Sequence, residues 1–159
     1  MSLKEISVVA VILSLIGCAS TSPMTQEIYT EHLTKTYNYS KNECYKATTE
    51  AMEELDYEID KADSDKGKII TKRKSFISQE TTTNYSDTLK YTETHDVSVA
   101  NKYYFLISDN GSSSCTVEVE RFRIWYKGKE LKEMIISYVN EHQWQAVFNE
   151  INEKLIESM

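Results

Sequence analysis

The chain has 159 residues and a formal charge of -7, with 25 Asp and Glu against 18 Lys and Arg. That balance argues against nucleic acid as a partner, because phosphate contacts need clustered basic side chains. Four glycines and one proline exclude collagen-like and low-complexity architectures, and the length allows one domain with a real core but hardly two.

At the amino terminus, residues 6–16 form an uncharged run of Ile, Val, Leu, Ala and Ser preceded by Lys4 and Glu5. A membrane-spanning helix needs about 20 apolar residues, so this run is too short to cross; it fits the h-region of a secretory signal. The run ends in Leu15-Ile16-Gly17-Cys18, which resembles a bacterial lipobox. The resemblance implies cleavage after Gly17, a diacylglyceryl thioether on Cys18 and acylation of the new amino terminus. Gly17 lets a peptidase approach the scissile backbone closely, and Cys18 offers the thiol as nucleophile. The competing reading is a buried amino-terminal helix that happens to contain a cysteine. Three acyl chains, at about 0.8 kcal/mol per buried methylene, make such an anchor effectively permanent. Ala19 stands where an aspartate in Gram-negative lipoproteins resembles the inner-membrane retention signal. The implied address is therefore the outer membrane, periplasmic side. The chain divides into a signal peptide over 1–17, the lipidated Cys18 with a flexible tether through 32, and a single domain over 33–159.

The alternation of residues 33–39 predicts a first strand. Ser40-Lys41-Asn42-Glu43 has the form of a capping box and opens a helix whose narrow stripe is Cys44, Ala47, Ala51 and Leu55. Residues 57–62 and 68–77 read as a hairpin around an acidic turn, with Gly67 placed for a positive φ. Residues 78–94 are polar, rich in Thr and Ser, and read as a long exposed connection. The segment from His95 to Ser108 alternates, with Val97, Val99, Tyr103, Phe105 and Ile107 on one face. Asn110-Gly111 then signals a hairpin. In the returning strand Cys115, Val117 and Val119 point inward, after which the apolar phase switches to Phe122, Ile124 and Tyr126. A strand cannot change phase without an extra residue, which predicts a β-bulge near Glu120-Arg121. Residues 127–131 turn the chain, and Met134 to Ile136 suggest a brief apolar segment. A final helix capped near Asn140 carries Trp144, Val147, Phe148, Ile151 and Leu155 in a helical stripe. Eleven tyrosines fit a strand-rich sheet better than a sugar-stacking surface. The expected fold is α+β in two layers: an antiparallel sheet of about five strands, two helices packed on one face, in the order β-α-β-β-β-β-α.

The segment from Ser40 to Arg73, "SKNECYKATTEAMEELDYEIDKADSDKGKIITKR", is similar to the repeated domains of the outer-membrane assembly lipoprotein C family. It also resembles other small helix-grip lipoprotein domains. In them the residues around Tyr57, Gly67, Ile69, Ile70 and Thr71 mark the strand pair after the helix. Asp56 departs from the pattern, since a glycine often precedes the aromatic there. The resemblance implies a fold and a cellular setting, not a particular partner.

With Cys18 lipidated, Cys44 and Cys115 remain. Both fall on inward faces, and in an oxidising periplasm they suit a disulfide contributing roughly 4 kcal/mol on the chain-entropy model. Two separately buried thiols are the alternative. His32, His95 and His142 lie on separate elements without metal-binding spacing, and neither a nucleophile elbow nor a phosphate loop occurs. Glu118 and Glu120 pair on one strand face as solvated charges do. The reading is accordingly a non-enzyme with neither cofactor nor metal. Lys66, Lys68, Lys72, Arg73 and Lys74 form the one basic cluster. It suits an anionic head group or acidic partner, or else an edge strand protected by lysines. Two functions follow from these observations. One is a membrane-anchored, non-catalytic interaction module that binds another envelope protein. The other is a carrier holding a small apolar ligand between helix and sheet.

Overall fold

The computed structural model describes residues 31–85, 90–111, 113–131 and 141–158. A helical turn over 31–33 buries Leu33 and leads into β1 (Thr34–Tyr37). Helix α1 (Lys41–Glu54) starts where expected, with the capping box complete: Glu43 N donates to the Ser40 hydroxyl and Ser40 N donates back to the Glu43 carboxylate at 2.8 Å. Its end is a Schellman motif: Tyr57 N donates to Met52 O at 2.8 Å and Asp56 N to Glu53 O at 2.9 Å. Asp56 takes the left-handed position with φ 57. This is the place where the resembling domains often carry glycine, and Asp tolerates it better than most residues.

The remaining elements are β2 (Ile59–Asp63), β3 (Lys68–Thr71), β4 (Lys74–Tyr85), β5 (Lys90–Asp109), β6 (Cys115–Tyr126), β7 (Lys129–Glu130) and α2 (Glu141–Glu157). They make an antiparallel sheet in the order β1-β6-β5-β3-β2, with β4 also on β5 and β7 also on β6. The α+β architecture stands, but the described sheet has seven strands rather than about five. One cause is that the expected strand 68–77 is two strands. Ile70 pairs with Tyr104 and Lys74 with Asn101, so Thr71, Lys72 and Arg73 face only Lys102 and Tyr103. The extra residue breaks the ladder, and the Thr71 hydroxyl accepts the Tyr103 backbone N–H at 3.0 Å in its place. The other is β7, which turns the expected connection after Tyr126 into a short hairpin through Lys127 and Gly128. The brief apolar segment at Met134 to Ile136 lies outside the described residues.

The bulge occurs as expected. Tyr104 pairs with Arg121 and Phe105 with Val119, leaving Glu120 extra. It lets Val117, Val119, Phe122 and Ile124 all reach the same core. That core also takes Ala47, Ala51 and Met52 from α1 and Val147, Phe148, Ile151 and Leu155 from α2, so both helices share one face of the sheet. A disulfide joins Cys44 on α1 to Cys115 on β6, with Cα atoms 6.6 Å apart. Gly67 ends the β2–β3 turn with φ 66, and its carbonyl accepts from Ile107 N at 2.7 Å. A Cβ there would lie 2.0 Å from the Ile107 carbonyl oxygen, so the turn and β5 touch backbone to backbone.

Candidate functional site

Two features stand apart from the packed body: an arm and a cleft at its root. The arm corrects the expected loop over 78–94. Residues 74–85 and 90–101 pair in unbroken antiparallel register from Lys74–Asn101 to Tyr85–Lys90. Threonine and tyrosine favour strand backbone even where no apolar face exists to bury, and the segment carries both. β6 reaches only as far as Val99 along β5, so among the described residues the ribbon beyond has two strands. The Lys127 ammonium meets the Glu80 carboxylate at 2.7 Å and ties the arm's base to the body. Beyond that clamp Thr81–Thr83 and Lys90–Thr94 are exposed, with the Thr81 and Thr94 hydroxyls 3.3 Å apart across the ribbon.

The cleft lies between the end of α1, the root of β4 and the start of α2, with a volume of about 260 Å³. Leu55, Phe76, Ala146 and Val147 supply apolar wall, and Tyr57, Lys74, Asn101 and Tyr103 converge on it. Tyr57 donates to the Asn101 side-chain oxygen at 2.7 Å, and the Tyr103 hydroxyl is hydrogen-bonded to that of Tyr57. Burial pushes the ionisation of both tyrosines up, so both hydroxyls stay protonated. Asn101 is 2% exposed, and its amide nitrogen has no partner among the described residues. The other buried polar side chains, Thr48 and Thr71, are satisfied through Cys44 O and Tyr103 N. Lys74, directly across from Asn101, donates to Leu55 O at 2.7 Å, lies 5.0 Å from the Tyr57 ring centre and 3.8 Å from the exposed Asp56 carboxylate.

Most of the basic cluster has acidic or aromatic neighbours. Lys66 pairs with Asp63 at 3.0 Å, Lys68 with Glu120 at 3.7 Å and Lys72 with Glu58 at 2.6 Å, while Lys74 turns to the cleft. Arg73 lies over the Trp125 ring at 4.6 Å, where Arg123 also sits at 5.1 Å. Nor is β3 an edge to defend, because β2 covers its outer side. His95 lies on the arm 3.3 Å from Glu93, and His32 lines a separate groove of about 440 Å³ beside α2. His142 and Trp144 have side chains outside the described residues, as do Gly17 and Cys18 entirely. Among the described residues no group of His, Cys, Asp and Glu is arranged to hold a metal, and no helix is long and apolar enough to cross a membrane.

The sequence pattern contained a sign of the cleft. The inward stripe of β5 runs through Val97, Val99, Tyr103, Phe105 and Ile107, and Asn101 is the polar residue at the skipped inward position.

No family model matches the chain, and no curated protein is similar enough to count as a relative. A DUF4468 family protein from Bacteroides ovatus, known from its crystal structure, is similar at 14% identity and a TM-score of 0.45. The match covers 86% of this chain and 91% of that one.

Proposed function

We propose that this chain is a lipid-anchored envelope protein acting as a non-catalytic protein-interaction module. In this reading Cys18 ties it to the outer membrane on the periplasmic side, and the partner is another envelope protein. The observation that carries the reading is the β4–β5 arm, whose strands pair with no further strand among the described residues on their outer edges beyond the body. A two-stranded ribbon is marginal in water by itself. A partner segment laid along either edge would gain ladder hydrogen bonds and stabilise the ribbon at the same time. The Cys44–Cys115 bond suits an oxidising compartment. The likeness of residues 40–73 to assembly lipoprotein domains fits the same setting.

Photo-crosslinking residues placed at Thr82 and Thr92 in living cells test this, with Glu53 on the exposed side of α1 as control. Defined adducts with an envelope protein from the arm and none from Glu53 support the reading. Silence from both arm positions in a folded, expressed chain contradicts it. The cleft favours a second reading, in which the same body also holds a small ligand.

A further inference from the structure

A buried amide that donates to nothing is costly, by roughly 1–3 kcal/mol in protein mutational data. Among the described residues Asn101 is such a group, and it stands on the wall of a cleft rather than in the closed core. The hydroxyls leading to it run in one direction: Tyr103 bonds to Tyr57, and Tyr57 donates to the Asn101 oxygen. Among the described residues the chain of donors therefore ends at the Asn101 amide, whose two hydrogens meet no acceptor there. What is missing at that point is an acceptor. Lys74 is its cross-strand neighbour on the same face; such pairs have Cβ atoms about 5 Å apart. One of the three ammonium hydrogens goes to Leu55 O, and Asp56 at 3.8 Å is an exposed and weak competitor for the rest.

We propose that this cleft binds a small monocarboxylate with an aromatic or compact apolar body, the carboxylate accepting from Asn101 and Lys74 while the body rests on Phe76, Leu55 and Val147. The size agrees with the class. A cavity of about 150 Å³ holds benzene, so about 260 Å³ has room for one ring with a short acid side chain. The inference rests on the second reading above and not on the arm, whose crosslinks remain a separate readout.

The probe is sodium phenylacetate, titrated into the isotope-labelled full chain in lipid nanodiscs, with the side-chain amide signals of asparagine followed by NMR. The expected result is a saturable shift of the Asn101 amide pair. Lys74→Gln is expected to weaken phenylacetate by about tenfold, the weight of a charge-assisted hydrogen bond, and to leave 2-phenylacetamide unchanged. Asn101→Leu is expected to abolish binding. If that variant does not fold, Ala146→Trp, at an exposed rim position, is expected to block the cleft in a folded chain. An Asn101 amide pair that does not move at saturating phenylacetate overturns the proposal, since ordered water alone then serves the amide. Undiminished binding in folded Asn101→Leu or Ala146→Trp overturns it equally.

Discussion

Single residues fix the geometry of this fold at places where backbone meets backbone. Gly67 combines a left-handed φ with a Cβ direction that runs into the Ile107 carbonyl. Gly67→Ala must therefore move β5 or open the turn, and a loss of about 2–4 kcal/mol is expected in urea unfolding; a loss under about 0.5 kcal/mol would refute the close approach. Asp56 presents the opposite case. It holds the left-handed residue of the Schellman motif at φ 57 with only a distant ion pair to Lys74. Asp56→Gly is expected to stabilise the chain by up to about 1 kcal/mol, and the same urea titration would show a loss instead if the Lys74 contact mattered more. The need for positive φ at Gly67 was legible from its place after an acidic turn. Asn101 was not, because a period-2 pattern records which positions point inward and not whether their hydrogen bonds are complete.

Among elements, the helices and the strand segments that bury a face were the most legible, since each carries its own local signal. The capping box gave the start of α1, and the phase switch after Val119 gave the bulge. The arm was missed because apolar alternation detects strands that bury a face, and this ribbon buries none beyond its base. The split at Lys72–Arg73 was missed because it arises from the number of residues opposite in β5, a tertiary fact. Two predictions belong at this scale. Replacing residues 82–93 by Asn-Gly closes the ribbon on the Thr81–Thr94 pair, just past the Glu80 clamp, and the thermal midpoint is expected to stay within about 5 °C, because few buried groups are lost. A collapse of the midpoint would make the arm part of the folding unit. Reducing the Cys44–Cys115 bond, by contrast, is expected to remove roughly 4 kcal/mol; an unchanged midpoint in reductant would argue against a staple between α1 and β6.

The molecule as a whole spends its charges in exposed pairs. Hydrogen bonds from Lys72 to Glu58, from Lys102 to Asp60, from Lys127 to Glu80 and from Arg123 to Glu130 hold these carboxyls below their ordinary range. A carboxylate depressed in the folded state stabilises above the unfolded-state range and loses that contribution as pH falls through its folded value. The thermal midpoint is therefore expected to be level from neutrality down to about pH 5 and to fall below about pH 4, less steeply in high salt. A midpoint unchanged at about pH 3 would remove these pairs from the account. In the proposed reading, address and task both depend on Cys18, whose lipidation would place the arm beside a membrane. The direct measurement is intact-mass and peptide analysis of the native protein from the membrane fraction. The account predicts a mature chain whose first residue is Cys18 carrying diacylglyceryl and amide-linked acyl groups. An unmodified Cys18 in a chain that still retains residues 1–17 would contradict it.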